Sequence, residues 1–293
     1  MKQIRKVYFQ NPSGDRWGLN GDRGVFASNL TGLGFSLSPN FTNLGRGFFS
    51  PVSDESEPQQ SLPFTLTFTK APYDTYKQLV DWLSAANPVT IVYNPTGRQE
   101  YCRDVVISFF EKNELNAVGW LEIPCSYLSL TPWYLPTPTT IRLDSSGSDE
   151  SKRYVYEYTD ALRYGADSSA ALSVAIPGAG HIPGALSLSV SGALANPRIR
   201  LAGDISGKTY GVCSVATVTA EADMLQFSSR YEDSYVRRMK ASGEEVDLLD
   251  VLDLSSNPFF HIPVNEPCTL TIEADAPFVG QADLLIFYYY RSV

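Results

Sequence analysis

Basic charge is scarce in this chain of 293 residues: 23 Lys and Arg stand against 32 Asp and Glu, a formal net charge of −9. A protein that works by neutralising phosphates needs clustered cations, so nucleic acid is not an expected partner. Long apolar runs are missing too. No window approaches the length of a membrane span, and MKQIRKVYFQ reaches Asn11-Pro12 without the apolar stretch of a secretory signal. A soluble protein made in a cytoplasm, with no membrane partner, is therefore expected, and the sequons at Asn29 and Asn40 read as chance matches.

Cysteine is rare as well. Cys102, Cys125, Cys213 and Cys268 lie far apart, with no CxxC pair and no neighbouring histidine, so metal-ligand spacing is absent and buried reduced thiols are expected. A chain of this length can hold itself together by its core without a disulfide framework.

The groups of catalysis are equally sparse. Only His181, in IPGAGHIPG, and His261, in FFHIP, offer imidazole bases, and GxSxG does not occur. Asp247, Asp250 and Asp253, or Glu221 and Asp223, read as solvated faces of an acidic protein, and their spacing fails the calcium-loop pattern. GLG at 32–34, GRG at 45–47 and GAGHIPG at 178–184 miss GxGxxG, and GDISGKT at 203–209 is one residue short of a phosphate loop and runs into a strand-like YGVCSVATV. These glycines read as turn residues with positive φ. No catalytic residue, cofactor or metal is called, and an enzyme is not expected.

What is abundant is the chemistry of strands. Aromatics make up 12% of the chain, with 17 Tyr and 15 Phe, and β-branched or aromatic runs are separated by Gly, Pro, Asn and Asp. Period-two alternation predicts strands at Phe64–Phe68, Val89–Tyr93, Leu186–Val190 and Leu270–Ala274, with turn chemistry at Asn94–Gly97 and Ala202–Asp204. One helix is predicted in APYDTYKQLVDWLSAANP: Pro72 suits the first turn, Tyr76, Leu79, Val80 and Leu83 share a face, Trp82 falls at its margin, and Asn87-Pro88 ends it. The run 223–254 mixes helical and strand spacing; strands are favoured, with a hairpin turn at Ser242-Gly243-Glu244. LDSSGSDESK at 143–152 reads as a linker between a domain over 1–142 and one over 153–293.

Surface recognition is what remains. The pairs Trp133-Tyr134, Phe48-Phe49 and Phe259-Phe260 could stack on sugars or fill an interface, but adjacent strand residues point to opposite faces, so one of each pair is expected in a core. In LEIPCSYLSLTPWYL, the face Leu121, Ile123, Cys125 and Tyr127 marks a strand that Pro132 and Pro136 are expected to stop.

In order and spacing, YKQLVDWLSAANPVTIVYNPTGRQEYCRDVVI, the exit strand ending LSLTPWYL, LSLSVSGALANPRIRL, VDLLDVLDLSSNPFFHIPVNEPCTLTIEAD and LLIFYYYRS resemble the distal tail proteins of long-tailed bacteriophages and phage-derived particles. The resemblance implies a mainly β protein: an N-terminal β-barrel-like domain with one helix, which assembles into a hexameric ring, and a C-terminal galectin-like β-sandwich. It implies a virion structural protein at the tail tip or baseplate. Its partners would be its own copies, the tail tube protein, the tail-associated tip protein and receptor-binding proteins. Val264-Asn265-Glu266-Pro267 departs from the family's glycine-containing turn, although Asn265 can support one. By the same resemblance the segment 18–49 would be largely interfacial. The rival reading is a carbohydrate-binding β-sandwich, but no sugar-binding residues of galectins are recognisable.

Overall fold

A computed structural model describes residues 5–34, 41–45, 48–51, 61–86, 88–144, 170–275 and 279–293. The chain forms two compact units, one of residues 1–135 with 290–293 and the other of residues 136–289. The change falls within a strand, earlier than the linker expected at 143–152, of which 145–152 lie outside the described residues.

The first unit contains β1 (Lys6–Gln10), β2 (Arg16–Gly18), β3 (Val25–Ser28), β4 (Phe41–Gly45), β5 (Phe48–Pro51), β6 (Ser61–Phe68), α1 (Pro72–Ala86), β7 (Val89–Asn94), β8 (Tyr101–Phe110) and β9 (Leu121–Ser129). β10 (Trp133–Asp144) begins here and passes into the second unit. The antiparallel order is β3-β6-β9-β8-β7-β1-β2, while β4 and β5, among the described residues, pair with each other. The sheet curls until its ends meet through bridges: Leu19 donates to the Val7 carbonyl at 3.0 Å, Ala27 to the Leu19 carbonyl at 2.9 Å, and Asn20 bridges Phe26. The unit is thus barrel-like without a closed ladder among the described strands.

Alternation explains the core. Phe64, Leu66 and Phe68 of β6 face inward, as do Leu121, Ile123, Cys125 and Tyr127 of β9. Helix α1 lays Thr75, Leu79, Leu83 and Ala86 on this core, while Val80, expected at the centre, is half-buried. Tyr76 stacks on Phe110 at 5.4 Å, and Trp82 meets Trp17 at 6.0 Å, at the margin. Pro132 separates β9 from β10, as expected, but Pro136 lies inside β10 and does not stop it. Proline lacks only the N–H, so a strand continues through it wherever no ladder bond needs that donor.

The second unit contains β11 (Ala170–Ile176), β12 (Ile182–Ser191), β13 (Arg198–Gly203), β14 (Thr209–Ser214), β15 (Met224–Arg230), β16 (Asp233–Met239), β17 (Glu245–Asp247), β18 (Cys268–Ala274) and β19 (Val279–Tyr290). Two antiparallel sheets, β17-β16-β15-β12-β19 and β11-β18-β13-β14, form the expected sandwich. Their inner faces are Leu186, Leu188 and Val190, Leu225 and Phe227, and Ile199, Leu201, Leu270 and Ile272. The hairpin at Ser242-Gly243-Glu244 is present, with Gly243 at φ 84° and its N–H on the Lys240 carbonyl at 2.8 Å. Asn265 takes the left-handed conformation, at φ 59°, that glycine would supply there.

Phe227 is 0% exposed and stacks on both Phe259 and Phe260, at 6.3 and 5.3 Å. Phe227→Ala should cost about 3–5 kcal/mol through the transfer and cavity terms. Urea titration followed by circular dichroism measures it.

Candidate interaction surfaces

The first unit is organised around one carbonyl. Gly32 O accepts the Trp133 indole N–H at 2.7 Å and Arg103 Nη1 at 3.0 Å, while Arg103 Nε donates to Thr131 O at 3.1 Å. The Arg103 guanidinium also lies 5.2 Å from the Trp133 ring centroid, and Tyr127 donates its hydroxyl to Thr31 O at 2.7 Å. Trp133 and Tyr127 are fully buried and Arg103 is 6% exposed. Trp133 and Tyr134 are therefore both interior, with the Tyr134 hydroxyl on Asp104 Oδ1 at 3.0 Å, and neither offers a platform to a sugar.

This anchor holds the root of the glycine-rich stretch. Thr31 donates to Pro63 O at 2.8 Å and Val293 N to Leu33 O at 3.0 Å, so residues 31–33 and the start of β6 are held together. Within the stretch expected to be interfacial, Leu19, Val25 and Ala27 are buried in their own unit, because β2, β3 and the bridges between them complete the sheet. That expectation is corrected for residues 18–28. Residues 35–40 and 46–47 lie outside the described residues, and Phe48-Phe49 falls in β5.

A second surface was not among those expected from the sequence. Between β8 and β9, Asn116 shapes a tip by accepting the backbone N–H groups of Val118 and Trp120 on Oδ1, both at 3.0 Å, and donating Nδ2 to Glu122 at 3.1 Å. Gly119, at φ 82°, completes the turn. The tip presents Leu115, Val118 and Trp120 to solvent; Val118 is 69% exposed. Tyr73 at the start of α1 ties the same loop down through Glu114 at 3.0 Å and sits under the Lys112 ammonium at 4.4 Å. The signal was present in NAVGW, an Asn-and-Gly turn flanked by large apolar residues that no core requires.

Of the carboxylates weighed for chemistry, Asp223, Asp247 and Asp253 are engaged in local structure. Asp223 is buried, pairs with Arg238 Nε at 3.2 Å and accepts from the Ala220 and Ala241 N–H groups. Asp247 accepts from Leu249 N, Asp253 caps a short 3-10 turn by accepting from Ser255 N, and Asp250 and Glu221 are exposed. The turns at Leu249–Val251 and Leu254–Ser256 belong to a strap that covers the outer edge of β14. Asp253 N donates to Ser214 O, Ser256 Oγ to Val212 O and Asn257 Nδ2 to Tyr210 O, at 3.0, 2.8 and 2.9 Å. The strap leaves Leu249, Val251 and Leu254 exposed.

In GDISGKT, the Ser206, Gly207 and Lys208 N–H groups go to Glu266, Gly203 O and Ser206 Oγ, and strand β14 follows, so no donor cradle is open to a phosphate. Gly207 and Gly180 have positive φ as expected, but Gly178 and Gly184 do not; they permit close approach of the Glu266 backbone and of the Phe287 carbonyl. Among the described residues, no group of three or more His, Cys, Asp or Glu side chains could hold a metal. All four cysteines are free and buried; burial pushes the Cys102, Cys125 and Cys213 thiols up to about 12 and Cys268 to about 11. His181 is exposed in its turn, and His261 stacks on Tyr231 at 4.1 Å.

Residues 6–127 match the family model described as the N-terminal domain of distal tail proteins. No curated protein matches the chain. Its fold is similar to a chain of the phage p2 baseplate in its activated conformation with calcium, at a TM-score of 0.66 and 16% identity over 99% of this chain and 100% of the other. It is also similar to the SPP1 Dit protein, described as a paradigm of the hub adsorption apparatus in phages infecting Gram-positive hosts, at a TM-score of 0.58 and 9% identity over 98% and 99%. The resemblance to distal tail proteins read from the sequence is borne out.

Trp133→Ala should cost about 3–5 kcal/mol in urea titrations, since it empties a packed site. Trp133→Phe, which removes chiefly the donor to Gly32, should cost about 1–2 kcal/mol. Burial lowers His261 from its ordinary value near 6.5, so the unfolded chain takes up the proton first. Stability of the second unit should be complete above that pH and fall as pH drops below it, and His261→Gln should flatten this slope in thermal melts across the range.

Proposed function

We propose that this chain, whose first unit carries the N-terminal domain of the distal tail proteins, is a structural hub of a phage tail or tail-derived particle. Its copies form a hexameric ring at the distal end of the tail tube, and the ring joins the tube to the tip and receptor-binding proteins. The observation that carries this reading is the coincidence of the family match over 6–127 with a fold likeness that spans both units, so the two-part architecture is shared end to end. Synthesis in the host cytoplasm and a place in the virion at the tail tip or baseplate follow from the same reading.

A structural role also agrees with the use the chain makes of its polar groups. Asp223, Asp247, Asp253 and Glu266 are engaged in caps, turns and ion pairs that shape loops. The carbohydrate-binding alternative loses the platform expected at Trp133 and Tyr134, which are interior, and Phe260 is buried beside Phe227. A ring needs a heterologous contact that closes by rotation and an apolar surface to make it. Leu115, Val118 and Trp120 provide such a surface, on a tip held in shape by Asn116.

Negative-stain images and native mass spectrometry of the purified chain should show hexameric rings; a monomer at every concentration examined overturns the ring. The double variant Val118→Asp, Trp120→Asp should lower the ring fraction at least about tenfold while leaving the thermal midpoint near that of the parent chain, because charge at a surface site acts on association more than on folding.

A further inference from the structure

The seam of the first unit includes one side chain in a chemically fragile dipeptide. Asn20 is followed by Gly21, which has no side chain to hinder attack on the asparagine amide. In the fold, Asn20 Oδ1 accepts the Val7 N–H and Asn20 Nδ2 donates to the Val7 carbonyl, both at 2.8 Å, so the amide stands in for backbone and continues the pairing of β1 beyond β2. The next residue is held just as closely. Gly21 N donates to Val25 O at 2.8 Å, its φ is 100°, and the Phe26 ring lies where a Cβ on Gly21 would sit.

We infer that Asn20 is a latent deamidation site that the closed seam holds shut and that opening of the seam releases. The reaction needs the Gly21 backbone nitrogen, stripped of its proton, to bond to Asn20 Cγ; the Cγ–Nδ2 bond then breaks and ammonia leaves. Water opens the cyclic imide at either carbonyl and leaves aspartate or isoaspartate. Neither electrons nor an outside reagent other than water are required. In the closed seam both reacting partners are occupied: the Gly21 N–H is bonded to Val25, and the Asn20 amide is fixed on Val7 by both of its polar atoms.

The modification is also one the seam cannot absorb. Aspartate has no donor to place opposite the Val7 carbonyl, so two acceptors would face each other where a 2.8 Å hydrogen bond now stands. Isoaspartate lengthens the main chain by a carbon just where Asn20 bridges Phe26 and Ala27 bonds to Leu19. Each opening that ends in reaction therefore leaves a first unit whose sheet ends no longer meet, and the chemistry keeps a permanent record of a transient opening.

The test uses the full chain in mildly alkaline buffer, with peptide mapping by mass spectrometry to follow aspartate and isoaspartate at position 20. Folded protein should react at least about tenfold more slowly than the same chain in denaturing urea, since reaction requires local opening. Equal rates overturn the inference. Hydrogen exchange of the Gly21 amide, read on the same samples through sub-denaturing urea, should rise in parallel with deamidation; deamidation that proceeds while this amide stays protected overturns the role of the seam. Asn20→Asp should lower the thermal midpoint of the first unit, whereas an unchanged midpoint overturns the claim that the product cannot re-close it.

Discussion

A guanidinium buried in a β protein constrains everything near it. Arg103 stands in β8 with almost no solvent exposure, and an isolated buried cation costs several kcal/mol unless its donors are met. They are met by carbonyls from distant stretches, Gly32 and Thr131, and by the face of Trp133. The partners cannot drift without leaving a charge unsatisfied. Thr131 in the turn before β10, the root of the glycine-rich stretch and the start of β8 are therefore held in one arrangement. Neighbouring Asp104 extends the network, accepting from Thr90 and Tyr134 through its side chain while its N–H donates to Thr131 Oγ1.

The same economy governs the second unit, where the hazard is an open sheet edge instead of a buried charge. An unpaired edge offers N–H and C=O groups to any other strand. Along β14 the carbonyls of Tyr210, Val212 and Ser214 are taken up by the strap over 253–257, which itself is kept in shape by Asp253. The exposed Leu249, Val251 and Leu254 then project from a segment whose backbone is already satisfied, so contact there would be made by side chains. At the other edge of the companion sheet, β17 is only three residues long and carries Glu245 and Asp247, which discourages extension.

Most strands and the helix were legible because their signals are local. Period two in FTLTF, VTIVY, LSLSV and LTIEA reports a buried face directly, and the helix announces itself by Pro72, its apolar spacing and Asn87-Pro88. The interior position of Trp133 followed from the same reasoning about strand faces. Arg103 did not, since YCRDVVI reads as a strand with a charged, solvated position, and its burial rests on Gly32, 71 residues away in sequence. The helix stripe was off by a small rotation for a similar reason. Thr75 and Ala86 are buried by what surrounds them, and hydrophobicity alone favoured Val80. Gly178 and Gly184 were read as positive-φ turns, whereas it is the nearness of the backbone of a distant segment, invisible in the sequence, that requires their missing side chains.

These features bear on the hub role proposed for the chain. An assembly protein needs rigid interiors, so that forces and geometry pass through it, and exposed apolar groups placed where they cannot collapse inward. The Asn116 tip meets that second demand by purely local means: one side chain accepts two backbone donors and braces Glu122, so Val118 and Trp120 stay outside although burial would favour them by about 1.5–3 kcal/mol each. That unrealised burial is available to a partner surface. An interface built on it starts with its loop already ordered, and the entropy of ordering, which weakens so many loop-mediated contacts, has been met during folding.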